Sequence, residues 1–266
     1  MNSQYKIALC QMKTSSDKEE NKRRAAKLVE EAAGGGAGVV CLPEIWNSPY
    51  DMKLFFENAE PEGGPSCDFM SGLARKFGVV LIGGSIPECD GGLLYNTSFV
   101  YGASGEVVAK YRKAHLFDVD IEGGIRFKES DAFTAGEGLA VFDTGFGRMG
   151  VAICFDLRFP EMFKGMADAG AEVIFLPAAF NISTGAIHLD TLAKCRALDN
   201  QVYLAVCAPA RNLTASFIPW SHSAVATPWG EYCAAADSRE TVLYADIDTD
   251  YLLRVRREMP IGRQPE

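Results

Sequence analysis

Short apolar runs recur along the chain and alternate with longer stretches whose apolar positions follow a helical period. YKIALCQM (residues 5–12) predicts a strand, and SDKEENKRRAAKLVEEAA (16–33) predicts a helix with Ser16 as its N-cap and acids in its first turn. The glycines of AAGGGAG (32–38) stop that helix, and GVVCLP (38–43) reads as a fully apolar strand. PSCDFMSGLARKFG (65–78) predicts a helix that starts near Ser66 and ends at Gly78, followed by the strand VVLIGG (79–84). LYNTSFVY and EVVAKYRK flank GASG as one hairpin, and LAVFDT and RMGVAIC flank GFG as a second. A helix near 160–169 leads to the strand EVIFLPA (172–178). The helix TGAIHLDTLAKCRALDN (184–200) and the strand QVYLAVCAP (201–209) follow. HSAVATPWGEYCAAA predicts a hairpin turning at Pro228–Gly230, and TVLYADID (241–248) a late strand before a short helix.

This order is α/β with hairpins set among β-α-β units. A purely parallel sheet would not carry so many hairpins, so the pattern predicts mixed sheets, covered by helices and packed on each other. No repeat, low-complexity segment or linker divides the chain, and residues 1–266 are expected to form a single domain.

Composition narrows the function. Hydrophobic residues make up 48% and charged residues 23%, ordinary proportions for a globular protein with a substantial core. The net charge is −9 and no basic block stands out, which argues against a nucleic-acid partner. No apolar run is long enough to span a membrane, and MNSQYKIALCQMK does not read as a signal peptide; a cytoplasmic protein is expected. None of the eight cysteines forms a C-x-x-C pair, and several lie inside apolar runs, as expected of a reduced chain that uses Cys as a small hydrophobe. The three histidines, His115, His188 and His222, are not at ligand spacing from any cysteine pair, so a metal site is not expected.

Three apolar runs each deliver a chemical group at their C-terminal end: VVCLPE ends on Glu44, VVAKYRK on Lys113 and MGVAIC on Cys154. Sites in layered α/β folds gather at the carboxyl ends of strands. Brought together, these groups suit amide chemistry. The carboxylate accepts the thiol proton, and the thiolate attacks a carbonyl carbon. The ammonium and the backbone N–H after Cys154 then stabilise the oxyanion.

CLPEIW, YRKAHLFD and CFDLRFPE resemble, in order, the three catalytic segments of the nitrilase, or carbon–nitrogen hydrolase, superfamily, and the similarity covers nearly the whole chain. The resemblance implies a Glu–Lys–Cys triad on Glu44, Lys113 and Cys154, a four-layer α-β-β-α sandwich with two mixed sheets, a homodimer, and neither metal nor organic cofactor. It also implies a second glutamate between the lysine and the cysteine. Glu129 in RFKES and Glu122 in DVDIEGG compete for this place, and Glu129 is preferred. Asp156, Arg158 and Glu161 are read as a supporting shell behind the nucleophile, and His115 as a neighbour of the lysine on the substrate side.

YRKAHLFDVD, AAFNISTGAIH, RALDNQVYLAVCAPAR and WSHSAVATPWGE resemble the ω-amidase branch. That resemblance implies a small-molecule substrate, a short dicarboxylic acid monoamide such as α-ketoglutaramate or α-ketosuccinamate, cleaved through a cysteine thioester. Other amidases of the superfamily (deaminated-glutathione, N-carbamoyl or aliphatic) and nitrilases are the alternatives. An anionic substrate needs a local cation in an acidic protein, and Arg211 in APARN is the candidate. Tyr50 is expected to donate a hydrogen bond to the same carboxylate, and Phe155, Phe180 and Thr184 to shape the wall behind Cys154.

Overall fold

Apolar runs from both halves of the chain pair into two mixed sheets in the computed structural model, which describes residues 3–261. In chain order the elements begin β1 (Gln4–Gln11), α1 (Lys18–Gly34), β2 (Val39–Cys41), α2 (Met52–Asn58), α3 (Pro65–Phe77) and β3 (Val80–Ile82). They continue β4 (Ile86–Asp90), β5 (Leu93–Tyr101), β6 (Val107–Arg112), β7 (Asp118–Asp120), β8 (Arg126–Lys128), β9 (Ala140–Thr144) and β10 (Gly147–Val151). The rest are α4 (Pro160–Asp168), β11 (Val173–Pro177), α5 (Ile182–Asn200), β12 (Tyr203–Cys207), β13 (Ala224–Ala226), β14 (Tyr232–Ala235), β15 (Thr241–Asp248) and α6 (Thr249–Glu258).

The first sheet runs β15-β1-β2-β3-β5-β4, with β6 paired to β5, and the second runs β14-β13-β12-β11-β10-β9. In each, the central strands are parallel (β1-β2-β3 and β10-β11-β12) and the flanking pairs antiparallel. The alternation of side chains across a strand explains why these runs are apolar throughout. Tyr5, Ile7 and Leu9 of β1 share a core with the second sheet, whereas Ala8 and Cys10 pack with Leu28 and Val29 of α1 and Met70 and Leu73 of α3. The outer face of the second sheet is covered by α4 and α5 through residues such as Phe163, Met166, Leu189 and Ala193. The layers are therefore α-β-β-α. Each large apolar side chain sealed between them contributes about 1.5–3 kcal/mol relative to exposure.

The helix ends follow local chemistry, with one change from expectation. α1 is capped by Asp17, not Ser16: the Asp17 carboxylate accepts from the N–H groups of Glu19 and Glu20 at 2.9 and 3.1 Å, and a carboxylate also suits the positive end of the helix. α3 opens on Pro65 and stops at Gly78, whose φ of 64° only glycine adopts without strain. Four elements have too weak a pattern to predict. α2 is 7 residues long, β7 and β8 are 3 each, and β4 carries Pro87 and Glu88. Among the described residues no helix is long and apolar enough to cross a membrane.

Candidate active site

The three groups at the ends of the apolar runs meet. Glu44 lies three residues beyond β2, in a turn held by the segment after β3. Ile45 N–H donates to Ser85 Oγ at 3.0 Å, and the Trp46 indole donates to the carbonyl of Gly83 at 2.9 Å. Gly84 is required there. Its φ is 60°, and a Cβ would sit 2.1 Å from the Pro43 carbonyl oxygen. Lys113 is the first residue past β6, with its N–H on the Asn96 carbonyl at 2.9 Å. Cys154 opens a short 3-10 helix, Cys154–Arg158, with a φ of 44°, a strained value for a non-glycine residue of the kind that collects at functional sites.

Asp156 clamps this strained turn to the lysine segment. Its buried carboxylate accepts from the Ile153 N–H (2.9 Å), the Tyr111 hydroxyl (2.8 Å) and the His115 N–H (3.0 Å), and pairs with His115 Nδ1 at 2.8 Å. Tyr111 and His115 bracket Lys113 in sequence, so one side chain sets the thiol and the ammonium relative to each other.

Lys113 is fully buried between two carboxylates. Its Nζ donates to Glu44 Oε1 at 2.8 Å and to Glu129 Oε2 at 2.8 Å. The Asn96 amide donates to both glutamates, at 2.9 and 3.0 Å, which holds the two acids at a fixed spacing. The remaining carboxylate oxygens are also used: Ala179 N–H donates to Glu44 Oε2 (2.8 Å), and Phe117 N–H and the Tyr50 hydroxyl donate to Glu129 (2.6 and 3.1 Å). Such satisfaction is what permits charge in a dry interior, where each ion otherwise costs several kcal/mol.

The site holds one cation for three groups able to become anions. Burial pushes the Glu44 carboxyl up; Lys113 pulls it down, and Glu129 pushes it up again. Burial, then the Glu44 charge, push the Cys154 thiol well up, against the pull of Lys113. Burial would lower the Lys113 ammonium, but Glu129, Glu44 and Cys154 outweigh it and hold it above its usual range. The lysine is thereby held in its charged form, while the thiol and the Glu44 carboxyl are both pushed toward their protonated forms. A thiol beside a buried carboxyl and an ammonium is the set of groups that nucleophilic attack on an amide carbonyl needs.

A narrow cleft over Cys154 is lined by Phe117, Phe155, Arg158, Phe180, Asn181 and Thr184, together with Ala179. Phe155, Phe180 and Thr184, three of the candidate wall residues, are among them. Arg211 is not: it lines neither this cleft nor the larger cavity beside Glu44. Its guanidinium lies over the Trp220 ring at 4.8 Å and donates to the Trp220 carbonyl at 2.6 Å, which ties it to the segment at 219–222. The cation in the cleft is Arg158, which lies over the rings of Phe155 and Phe180 at 5.3 and 5.6 Å. One of its terminal nitrogens is 3.1 Å from His188 Nδ1, and its Nε is buried without a partner. Burial lowers its pKa, the sign of a guanidinium short of counter-charge.

The other candidates separate as clearly. Tyr50 gives its hydroxyl to Glu129, and it is not among the residues lining the Cys154 cleft. His115 stacks on Phe159 with ring centroids 3.5 Å apart and serves Asp156. Glu129 is buried against Lys113, whereas Glu122 is exposed at the tip of the β7-β8 ribbon. Glu161 is exposed on the first turn of α4 and takes no part in the shell behind the thiol.

The carbon–nitrogen hydrolase family model matches residues 6–257. The chain belongs to the carbon–nitrogen hydrolase family. It is 48% identical to omega-amidase NIT2 of Danio rerio over 262 residues, 98% of this chain and 95% of that protein. It is 45% identical to omega-amidase NIT2 of Homo sapiens over the same shares of the two chains. The fold matches that of Saccharomyces cerevisiae Nit3, a member of branch 10 of the nitrilase superfamily. The TM-score is 0.91 at 38% identity, covering 98% of this chain and 96% of that one. In this carbon–nitrogen hydrolase the site residues that sequence reasoning missed are Asn96 and the N–H of Ala179, besides the cleft position of Arg158. Asn96 had a visible signal, a lone amide in the strand run LYNTSFVY; a backbone N–H has none.

Proposed function

We propose that this carbon–nitrogen hydrolase is an ω-amidase. It cleaves the terminal amide of short dicarboxylic acid monoamides, α-ketoglutaramate and α-ketosuccinamate among them, to the dicarboxylate and ammonia. The observation that carries the substrate class is Arg158, an unneutralised cation in the same cleft as the thiol and four residues along the chain from it. The names of the relatives matched over nearly their full length support the same reading.

The chemistry runs through a thioester. Glu44 takes the Cys154 proton as Sγ attacks the amide carbon. The oxyanion is met by the Lys113 ammonium and the Phe155 backbone N–H. Glu44 returns the proton to the leaving ammonia, then activates the water that hydrolyses the thioester. Positioned proton transfer of this kind is worth roughly 10²–10⁴ in rate. Glu129 keeps Lys113 charged and aimed. Glu129→Gln therefore lowers kcat by roughly 10²-fold or more, and Glu122→Gln leaves it within about twofold. Steady-state ammonia release from the two variants checks this, and the reverse ranking contradicts it.

Arg158 holds the substrate's far carboxylate, with Phe155, Phe180 and Thr184 as the walls. A charge-assisted contact is worth roughly 1.5–3 kcal/mol, so Arg158→Gln costs about 10- to 150-fold in kcat/KM for α-ketoglutaramate and little for a neutral amide such as butyramide. A wild-type protein that prefers neutral aliphatic amides, or that releases ammonia from nitriles, contradicts the ω-amidase reading.

Residues 1–266 act as one catalytic domain, supported by a core that draws on both sheets. The reading also includes a cytoplasmic location, in keeping with eight cysteines that are all free, and a two-fold homodimer. Exposed apolar side chains on α5 and α6, Ile187, Leu198 and Leu253, support pairing. Sedimentation at micromolar concentration is expected to give twice the 28.9 kDa chain mass, and a fully active monomer contradicts the dimer.

A further inference from the structure

Two buried glutamates hold the same lysine, and nothing in their burial tells them apart. Their hydrogen bonds do. A carboxylate offers about four lone-pair positions, two on each oxygen. On Glu129 all are taken. Its Oε1 accepts from Asn96, Lys113 and Tyr50 at 3.0, 3.1 and 3.1 Å, and its Oε2 from Lys113 and the Phe117 N–H at 2.8 and 2.6 Å. On Glu44, Oε1 accepts from Lys113 at 2.8 Å and from the Asn96 amide at 2.9 Å, which fills it. Among the described residues the one N–H on Glu44 Oε2 is that of Ala179, at 2.8 Å, and this N–H also stands against the Cys154 thiol. The open position on Glu44 is therefore on the sulfur side.

Asn96 is the side chain that makes the difference. It is fully buried on β5, its carbonyl accepts the Lys113 N–H at 2.9 Å, and its amide donates to both acids. Its Oδ1 is buried with no partner among the described residues, so the hydrogen bonding of this amide is directed wholly at the two carboxylates. Turned over, the amide would set that oxygen against both acids, so charge fixes its orientation.

We propose that Asn96 is a positioning residue that closes Oε1 of Glu44 and so confines the proton exchanged with Cys154 to Oε2. The inference rests on the reading that Glu44 takes the thiol proton. The S–H bond breaks as the Oε2–H bond forms, and the leaving nitrogen takes that same proton. Donation to a carboxylate favours its charged form, so Asn96 works against the burial that pushes the Glu44 carboxyl up. Without the amide, Oε1 regains an open position beside Lys113. A proton held there leaves Glu44 neutral and unable to take the one on sulfur. The titratable groups facing Glu44 are Lys113, Glu129 and Cys154, with Tyr50 behind Glu129. The other charges near β5, Glu88 with Lys110 and Arg112, pair with one another on the Thr97 side of the strand, the face opposite to Asn96.

The test follows kcat/KM for α-ketoglutaramate against pH in the wild type, Asn96→Leu and Tyr50→Phe, with thermal unfolding of each. Leucine keeps the branched shape and removes both donors. The acid limb, which belongs to the Glu44–Cys154 pair, is expected to move up by at least about half a pH unit in Asn96→Leu. Plateau kcat falls at least about tenfold with KM within about threefold, because Asn96 does not line the cleft. Tyr50→Phe takes a donor from Glu129 alone and leaves the limb at its wild-type position. Where Asn96→Leu does not fold, Asn96→Ser, smaller and with a single donor, shifts the limb in the same direction. An unmoved limb in the folded Asn96 variant overturns the proposal, since a residue that only packs lowers activity at every pH alike. An equal shift in Tyr50→Phe overturns it too, since either acid then carries the reacting proton. Iodoacetamide labelling of Cys154 against pH, with no amide present, reads the same pair of protons and is expected to show the same shift. A wild type that labels in this way but releases no ammonia from α-ketoglutaramate strikes the ω-amidase reading, while the labelling shift still supports the role of Asn96.

Discussion

Cys154→Ala is expected to abolish amide hydrolysis, a loss of roughly 10⁵–10⁶ in kcat, with the fold intact. The thiol is the attacking group in this account, and the glutamates and the lysine have no nucleophile to serve without it. Stability changes little for two reasons. Alanine fills most of the same buried space, and the turn that holds residue 154 is fixed from outside by Asp156 through Ile153 N–H, Tyr111 and His115. Ammonia release reads the first effect and thermal unfolding the second. An active Cys154→Ala protein, or one that fails to fold, contradicts this account of the turn.

Lys113→Ala is expected to cost both activity and stability, unlike the cysteine variant. It leaves Glu44 and Glu129 facing each other in a site with no exposure and no cation. Removing one partner from a buried ion cluster costs about 3–5 kcal/mol. The orphaned carboxyls respond by taking up protons, so their folded pKa values rise above the unfolded ones. A group raised in this way supports the fold below its unfolded pKa and loses that support as pH rises through the folded value. The stability deficit of Lys113→Ala is therefore larger at pH 8 than at pH 5. Turnover falls by several orders of magnitude, and adding Cys154→Ala brings almost no further loss because the groups act as a unit. Lys113→Arg rescues neither property, since a planar fork does not fit between two acids spaced for an ammonium. Denaturant midpoints at the two pH values, with kcat alongside, check both parts; a deficit that is equal or smaller at pH 8 contradicts the charge argument.

The α/β order and the three hairpins were legible because strands buried on two faces read as unbroken apolar runs and because turns and helix ends carry Pro and Gly. The three reactive groups were legible for the same reason: a Glu, a Lys and a Cys at the ends of such runs stand out against their apolar context. Arg158 and Arg211 show where this reading stops. Each is an arginine shortly after an apolar strand, and only tertiary packing distinguishes them. Arg158 is carried on the strained turn that starts at Cys154 and so faces the cleft, while Arg211 is drawn onto Trp220, nine residues further along the chain. Glu129 and Glu122 likewise differ little in sequence. The β7-β8 ribbon, too short to leave a pattern, sends one to Lys113 and the other to solvent. The larger cavity was not legible at all, since it is assembled from four separate segments whose side chains are individually unremarkable loop residues.

The central claim is that Cys154, with Glu44 and Lys113, forms an acyl-enzyme on the route from ω-amide to acid. Acid quenching during turnover of α-ketoglutaramate, followed by peptide mass spectrometry, tests it most directly. The account predicts the acyl group as a thioester on the peptide carrying Cys154, and on none of the other seven cysteines. Acylation of a different cysteine, or ammonia released at full rate with no protein-bound acyl group at any quench time in either the wild type or a Glu44→Gln variant, contradicts it.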